Sequence, residues 1–585
     1  MKNDKKHTQR PPQKGFKSNK KQDKKTHEAT PKIKFAKGTI SLTGKGIGYV
    51  EVEGFKDDIE IQNERLNTAY HGDTVEIEIG HPEGRERRIQ GRVLKVLERR
   101  KNNFVGTIEK VGIQTCLIAD DRKMYKYIAL PDTADQKIAK NEKVLVNITE
   151  WFNKENDGPI GKIIKIIGTK GEHNAEMESI LIEKGFETAF PIPVEDEAKK
   201  VLAYEKNNWQ KAIADRRDFR GTFTCTIDPL DAKDFDDAIS FKKLENGNYE
   251  IGVHIADVSH YVVEGTALDK EARNRAFSVY LVDRTIPMLP EILSNDLCSL
   301  NPDEDKLSYS AVFEMTANNK IISRWFGKTV MRSVKRFTYE TAQKVLDDKK
   351  GEYFEELNIL NTLAKKMRAE KYSAGAIDFE RDEVRFVLDE MGKPIRVYKK
   401  ERLDTHKLVE EYMLLANREV AQFIAKADDS KNPKGTFVYR VHGEPNPEKI
   451  DNLSIFIKAL GFELGVKGKK ITSKDIAKLL QKVEGAPQEA LIKTAAIRSM
   501  AKAIYTTQNI GHFGLAFDYY THFTSPIRRY PDLLVHRLLE NHLKGGKIEQ
   551  DAYAKYEKIS EHSTEKEVAA AEAERNSIKY KQVEY

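Results

Sequence analysis

Five aspartates, Asp228, Asp231, Asp234, Asp236 and Asp237, fall within ten residues of the stretch Thr226-Ile-Asp-Pro-Leu-Asp-Ala-Lys-Asp-Phe-Asp-Asp-Ala238, with Lys233 as the one interposed cation. Carboxylates crowded this closely repel one another until a cation joins them or some take up protons. Short side chains offering only oxygen suit a hard ion such as Mg²⁺, which keeps some waters and accepts substrate phosphates as further ligands. No His or Cys stands in the loop, which argues against zinc. The glycine and terminal glutamate of an EF-hand loop are missing too. The spacing points to a catalytic or substrate-bridging metal; a solvated acidic turn is the alternative.

Elements on either side must hold this loop. Gly221-Thr-Phe-Thr-Cys-Thr-Ile227 is β-branched and aromatic and predicts a strand, with a second short strand over 238–241. Tyr249–Tyr261 predicts a buried strand; its His254 and His260 are expected to be structural, and Asp257 is a candidate outer partner of the metal. A helix over 267–276 follows. Far downstream, Ser525-Pro526 resembles a helix opening, with Leu533–Leu539 continuing it. Arg528 and Arg529 at such a start oppose the helix dipole unless an anion sits there, and a phosphate is a familiar occupant. Arg528 is then the candidate for stabilising charge on a scissile phosphate. A salt bridge to Asp532 or another carboxylate is the alternative, and Pro531 offers a second place for the helix to begin.

The 585 residues allow several domains. Cys116, Cys225 and Cys298 are scattered, so neither a disulfide framework nor a zinc ribbon is indicated. No apolar run approaches a membrane span and no signal-peptide core is present, so a soluble, cytoplasmic protein without membrane contact is expected. Of the net charge of +7, residues 1–33 carry 11 Lys/Arg against three acidic residues, a net +8, which leaves −1 for the rest. That polar tail cannot bury enough surface to fold and is expected to be a disordered basic arm, attractive to nucleic acid through counterion release.

A duplication follows the tail. Gly38-Thr-Ile40 recurs as Gly106-Thr-Ile108, Thr74–Ile79 as Lys143–Ile148, and Gly91–Leu97 as Gly161–Ile167, at offsets of 68, 69 and 70 residues. Short alternating strands between turn residues predict two small all-β units in tandem, 34–99 and 100–168. Gly44-Lys-Gly-Ile-Gly-Tyr-Val50 resembles the Gly-aromatic strand of cold-shock domains, which are OB barrels. Tyr49 would stack bases and Lys45 would meet phosphate; ordinary strand packing is the alternative for Tyr49. Residues 169–220 are expected to be a mostly helical connector, 221–545 the catalytic domain and 546–585 a C-terminal helical segment.

Ordered motifs carry a wider resemblance. Ile227-Asp228 with Asp234-Phe-Asp-Asp-Ala238 resembles the metal motif of the ribonuclease II / ribonuclease R (RNB) family. His254-Ile-Ala-Asp257, Ile286-Pro-Met-Leu-Pro290, Leu297-Cys-Ser-Leu300, His406-Lys-Leu-Val-Glu-Glu411, Gly511–Leu515 and Thr524–Asp532 are similar as well. Paired barrels and a Lys-rich arm favour the ribonuclease R branch. The resemblance implies a multidomain α+β fold: two cold-shock/OB barrels, then a large RNB domain. It implies processive 3′-to-5′ hydrolysis of single-stranded RNA to nucleoside 5′-monophosphates with Mg²⁺, two ions acting during catalysis. Carried over by position, Asp228, Asp234, Asp236 and Asp237 hold the metals and terminal ribose-phosphate, whereas Asp231 takes no assigned role. Tyr280, Tyr339 and Phe379 match the family's base-clamping rings, and Glu410 or Glu411 is a further neighbour of the terminal nucleotide. A monomer is expected, with the ribosome or RNA-decay machinery as candidate partners. The family usually continues into another OB-type domain, and this chain is expected to lack it. A non-catalytic cold-shock RNA chaperone and a Mg²⁺-dependent endoribonuclease are the rival readings.

Overall fold

The structure, a computed structural model, describes residues 34–55, 57–80, 89–131, 140–151, 158–378, 383–427, 437–465, 471–546 and 550–585. The basic arm 1–33 and Phe379 lie outside the described residues. The chain divides into two units at Ile167 and Gly168.

In the first unit, β1 (Phe35–Leu42), β2 (Gly48–Val50), β3 (Ile59–Ile61), β4 (Thr74–Ile79) and β5 (Gln90–Glu98) close a barrel in the order β1-β2-β3-β5-β4. Strand β4 alternates: Val75, Ile77 and Ile79 are buried and the residues between them are not. That period of two is what a strand with one wet face requires. A second barrel repeats the plan with β6 (Asn103–Val111), β7 (Gln114–Ala119), β8 (Ile128–Ala129), β9 (Glu142–Glu150) and β10 (Ile160–Thr169). Close packing explains the repeated glycines. A Cβ on Gly106 would lie 2.2 Å from the Ile118 carbonyl oxygen, and one on Gly161 2.3 Å from Val146 Cγ1. Their counterparts Gly38 and Gly91 would meet Val50 at 2.6 Å and Ile59 at 2.8 Å. On the first barrel Lys45 is exposed, while Tyr49 is half-buried with its hydroxyl 3.5 Å from Glu60 Oε2.

The second unit opens with α1 (His173–Glu183) and α2 (Ile192–Ile213), then β11 (Arg217–Asp218), β12 (Thr224–Asp228), β13 (Asp237–Lys243) and β14 (Tyr249–Ala256). Helices α3 (Val258–Tyr261) and α4 (Ala267–Arg275) precede a hairpin of β15 (Val279–Tyr280) and β16 (Thr285–Ile286). Strands β17 (Asp305–Met315), β18 (Ile321–Arg332) and β19 (Lys335–Thr338) complete a seven-stranded sheet in the order β11-β18-β17-β14-β13-β12-β19. Beyond it run α5 (Tyr339–Asp348), α6 (Phe354–Ala374), the hairpin β20 (Glu383–Leu388) with β21 (Pro394–Lys400), and α7 (Asp404–Ala427). The chain continues through β22 (Tyr439–His442), α8 (Pro447–Ala459), α9 (Ser473–Val483), α10 (Glu489–Ser499), β23 (Ala503–Thr506), α11 (Tyr530–Leu543) and α12 (Gln550–Glu584).

The core sits on this sheet. Ile251 through Ala256 of central β14 are all buried, the continuous run of a strand covered on both faces. His254 falls inside that run, and its ring nitrogens pair with Ser310 Oγ at 2.7 Å and Ser240 Oγ at 2.8 Å. It is structural, as its spacing suggested. The stretch 169–220 is more than a connector: Val194 and Ala198 of α2 join the main core, and Met177 and Leu181 of α1 share a smaller one with Ala573 of α12. Helices α8, α9 and α10 bury a core of their own around Ile457, Ile476 and Ile492.

Candidate active site

The acidic loop joins two neighbouring strands of the sheet. β12 ends at Asp228 and β13 begins at Asp237; Cys225 pairs with Ile239, and on the other edge Asp228 pairs with Thr338 of β19. Between these ends the backbone is tied down from outside. Ser299 Oγ accepts from the Phe235 amide at 3.0 Å and donates to the Lys233 carbonyl at 2.7 Å. Arg336 donates to the carbonyls of Pro229, Leu230 and Ala232 at 3.2, 2.6 and 3.3 Å. Those ties hold the carboxylates in place.

Asp236 is buried, Asp228, Asp234 and Asp237 are half-buried, and Asp231 is exposed. The exposed position of Asp231 sets it apart from the other four. Burial pushes Asp228 well above the usual carboxylate range, and the negative charge of Asp237 adds to this. Burial raises Asp234 as well. In Asp236 burial outweighs the opposing pull of Arg528, and in Asp237 it raises the pKa to about 6 against the pull of Arg528 and Arg529. Asp228 Oδ2 is buried with no hydrogen-bond partner. Burial is the main cause of all four shifts, and repulsion between neighbouring carboxylates adds to it at Asp228 and Asp236. Among the described residues no three His, Cys, Asp or Glu side chains already stand in metal-coordinating geometry, so the carboxylates converge without forming a finished cage.

Arg528 reaches the loop from nearly 300 residues away. Its Nε donates to Asp236 Oδ2 at 3.3 Å, and the Ile527 amide donates to Asp236 Oδ1 at 2.9 Å. One Nη donates to Ser525 Oγ at 3.0 Å. The helix does not open at Ser525-Pro526: α11 starts at Tyr530, with Arg529 as its cap and Pro531 in the first turn. The reason lies in Asp532, whose Oδ1 accepts both from the Ser525 amide at 2.8 Å and from Arg529 at 2.7 Å, folding 525–529 back as a turn. Arg529 therefore takes the salt bridge to Asp532, and Arg528 takes Asp236.

The same turn positions the aromatic residues. The Tyr530 amide donates to the Ala276 carbonyl at 2.8 Å and the Ser278 amide to the Arg528 carbonyl at 3.0 Å, a strand-like tie just ahead of Tyr280. Tyr280 is 38 % exposed, and its hydroxyl pKa, raised by burial to about 12, also feels Arg528, Asp234 and Asp236. Tyr339, the first residue of α5, is raised by burial and then by Asp237 and Asp228. Tyr280, Tyr339, Arg528 and the four aspartates thus share one site. Tyr49 and Lys45 belong to the first unit.

Residues 216–545 match the RNB domain, 117–191 the cold shock domain and 38–96 the ribonuclease B OB domain. Ribonuclease R of Thermotoga maritima is 39 % identical over 565 residues, covering 94 % of this chain and 77 % of its own. Ribonuclease R of Aquifex aeolicus is 35 % identical over 575 residues, covering 95 % and 79 %. This chain belongs to the ribonuclease R family of RNB exoribonucleases. Its fold matches Mycoplasma genitalium RNase R, solved in complex with ribose-methylated single-stranded RNA, with a TM-score of 0.85, 26 % identity, and coverage of 94 % of this chain and 86 % of that one. The yeast pseudonuclease Ssd1 has the same fold at a TM-score of 0.71 and 20 % identity, over 93 % of this chain and 73 % of its own. Fold and activity are therefore separable, and function must be argued from the site.

One expectation changes with the structure. Asp257 is not an outer partner of a metal: it is fully buried and pairs with Arg216 at 2.7 Å, Lys328 at 3.2 Å and Ser259 at 2.6 Å. Arg216 belongs to the charged run 215–220 that ends the stretch expected to be a connector. Glu411 is buried against Lys371, and Glu410 is bound to Arg402, so both carboxylates are engaged by cations. Arg336 and Ser299, which hold the loop, were missed. Leu297-Cys-Ser-Leu300 stood out as a motif, but nothing local says that its serine bonds a backbone over 60 residues upstream. No helix among the described residues is long and apolar enough to cross a membrane.

Proposed function

We propose that the protein is a processive 3′-to-5′ exoribonuclease that hydrolyses single-stranded RNA to nucleoside 5′-monophosphates. The observation that carries this reading is the meeting of Asp228, Asp234, Asp236 and Asp237 with Arg528, Tyr280 and Tyr339 at one site. The donor set fits Mg²⁺: it is all oxygen, short of positive charge, and includes the unpartnered Asp228 Oδ2. Asp228, Asp234, Asp236 and Asp237 would hold two such ions, which when bound supply an acidified water and neutralise charge at the leaving 3′ oxygen.

The chain's own residues do the rest. Arg528 uses Nε–H on Asp236 and one Nη–H on Ser525, and among the described residues its remaining Nη–H groups are left to meet a phosphate oxygen. Tyr280 and Tyr339 give flat surfaces for terminal bases, and stacking reads no sequence, as a degradative enzyme needs. The barrels would bind the incoming strand through Tyr49 and Lys45. Hydrogen bonds to the 2′-OH would separate RNA from DNA.

Single-stranded RNA labelled at its 3′ end, incubated with Mg²⁺ and with or without a chelator, tests this. Label released as nucleoside 5′-monophosphate, and only without chelator, is the expected result. Labelled 3′-terminal oligonucleotides would instead indicate an endonuclease, and an intact strand an RNA chaperone.

A further inference from the structure

The rings of Tyr339 and His406 stack face to face, with centroids 3.8 Å apart and planes within 9°. They belong to the first turns of α5 and α7, which are lashed together around the pair. Thr405 Oγ1 donates to the Tyr339 carbonyl at 2.9 Å, and the Thr405 amide donates to Gln343 Oε1 at 3.2 Å. His406 Nδ1 accepts from the Leu403 amide at 3.2 Å, which fixes the ring's orientation and places the proton of the neutral ring on Nε2. Burial lowers its pKa to about 4, so the ring that stacks is uncharged. The Tyr339 hydroxyl has no hydrogen-bond partner among the described residues, and its surroundings include Asp237, Asp228 and Arg528.

His406 covers one face of Tyr339, so a nucleotide can reach only the opposite face or the edge. An isolated tyrosine swings about its χ angles; one held flat against a second, backbone-anchored ring does not. Resting on the exoribonuclease reading above, we propose that His406 is a positioning residue of the terminal-nucleotide pocket, a fixed backing ring that sets the plane in which Tyr339 meets the last nucleotide. It touches neither substrate nor ion and acts through Tyr339. Prepaid order of this kind is realised at the reacting end of the strand, not along its length.

The test uses the full chain, RNA labelled at its 3′ end, and four variants: His406→Ala, His406→Phe, Tyr339→Ala and the double variant Tyr339→Ala/His406→Ala. An aromatic ring pair corresponds to roughly two- to tenfold in rate. His406→Ala should lower kcat by about that factor with KM for long RNA unmoved, and His406→Phe should restore most of it. With Tyr339 already Ala, removing His406 should cost nothing more. Equal losses in both backgrounds, a kcat that His406→Ala leaves alone, or no recovery with Phe would each overturn the proposal. If thermal melting shows that His406→Ala does not fold, His406→Leu, which keeps volume without a flat ring, is read the same way. Failure of the wild-type protein to release mononucleotides would overturn the exoribonuclease reading itself, a different outcome from any of these.

Discussion

Asp236 and Arg528 stand 292 residues apart in the chain, yet Arg528 Nε donates to Asp236 Oδ2 at 3.3 Å while the adjoining Ile527 amide occupies Oδ1. Arg528 is 43 % exposed and Asp236 5 %, so solvent screens much of the attraction between them. The contact matters for geometry more than for stability. One carboxylate belongs to the acidic cluster and also aims the arginine, coupling the proposed metal site to the phosphate-binding group.

Asp236→Asn separates these duties from RNA binding. The amide can still accept from the Ile527 amide, but its NH₂ faces the Arg528 Nε–H, donor against donor, and one anionic ligand is gone. Hydrolysis should fall by on the order of 10³ or more, since both a metal ligand and an aimed donor are disturbed. Binding of long single-stranded RNA, measured by fluorescence anisotropy in the absence of turnover, should stay near wild type. Normal hydrolysis in this variant would remove Asp236 from the site.

Arg528→Lys keeps the charge and loses the fork. A lysine cannot hold Asp236, Ser525 and a phosphate oxygen in fixed directions at once. Single-turnover rates should drop about 100-fold with little change in KM, the pattern of an interaction made in the transition state. The same change at Arg529 acts differently, because its partner is the buried Asp532. There the melting temperature should fall. If the two variants behaved alike, the division of labour between the arginines would be wrong.

The parts of this site that could be read from the sequence are those whose chemistry is local. Five aspartates in ten residues identify themselves, and β-branched flanks announce β12 and β13. The paired barrels showed as repeated glycines because each glycine meets a neighbouring strand within van der Waals range. Residues whose role depends on distant backbone could not be read this way. Arg336 bonds carbonyls more than 100 residues upstream, and Asp257 stands beside a metal-like motif yet turns to Arg216 and Lys328. Ser525-Pro526 and Pro531 were equally good helix openings by local rules. Asp532, by capping the Ser525 amide from within the helix, selects the second.

Asp257 carries a prediction about stability. Burial alone would raise its pKa, but Lys328 and Arg216 outweigh burial and hold the carboxyl below the usual carboxylate range. A depressed folded-state pKa stabilises the fold above the unfolded value of about 4, and this stabilisation is lost as pH falls through the lower folded value. Asp257→Asn leaves two cations facing a neutral amide and should cost about 3 kcal/mol at pH 7. Denaturant titrations should show that difference shrinking as pH is taken below about 4. A pH-independent difference would mean that packing, not charge, is what Asp257 contributes.

Tyr280→Ala tests stacking without disturbing the core. The ring is 38 % exposed and sits on the short β15–β16 hairpin, so its loss should leave the melting temperature close to wild type. One stacked base is worth about 1–3 kcal/mol, and the affinity for a short RNA should weaken by roughly 5- to 150-fold. Long RNA has further contacts along its length and should suffer less. Because any base offers a π face, the loss should be similar for oligo(A) and oligo(U), and Tyr280→Phe, which keeps the ring, should recover most of it. A loss confined to one base, or one that Phe does not recover, would show that the hydroxyl, beside Arg528 and Asp234, is the part of Tyr280 that RNA meets.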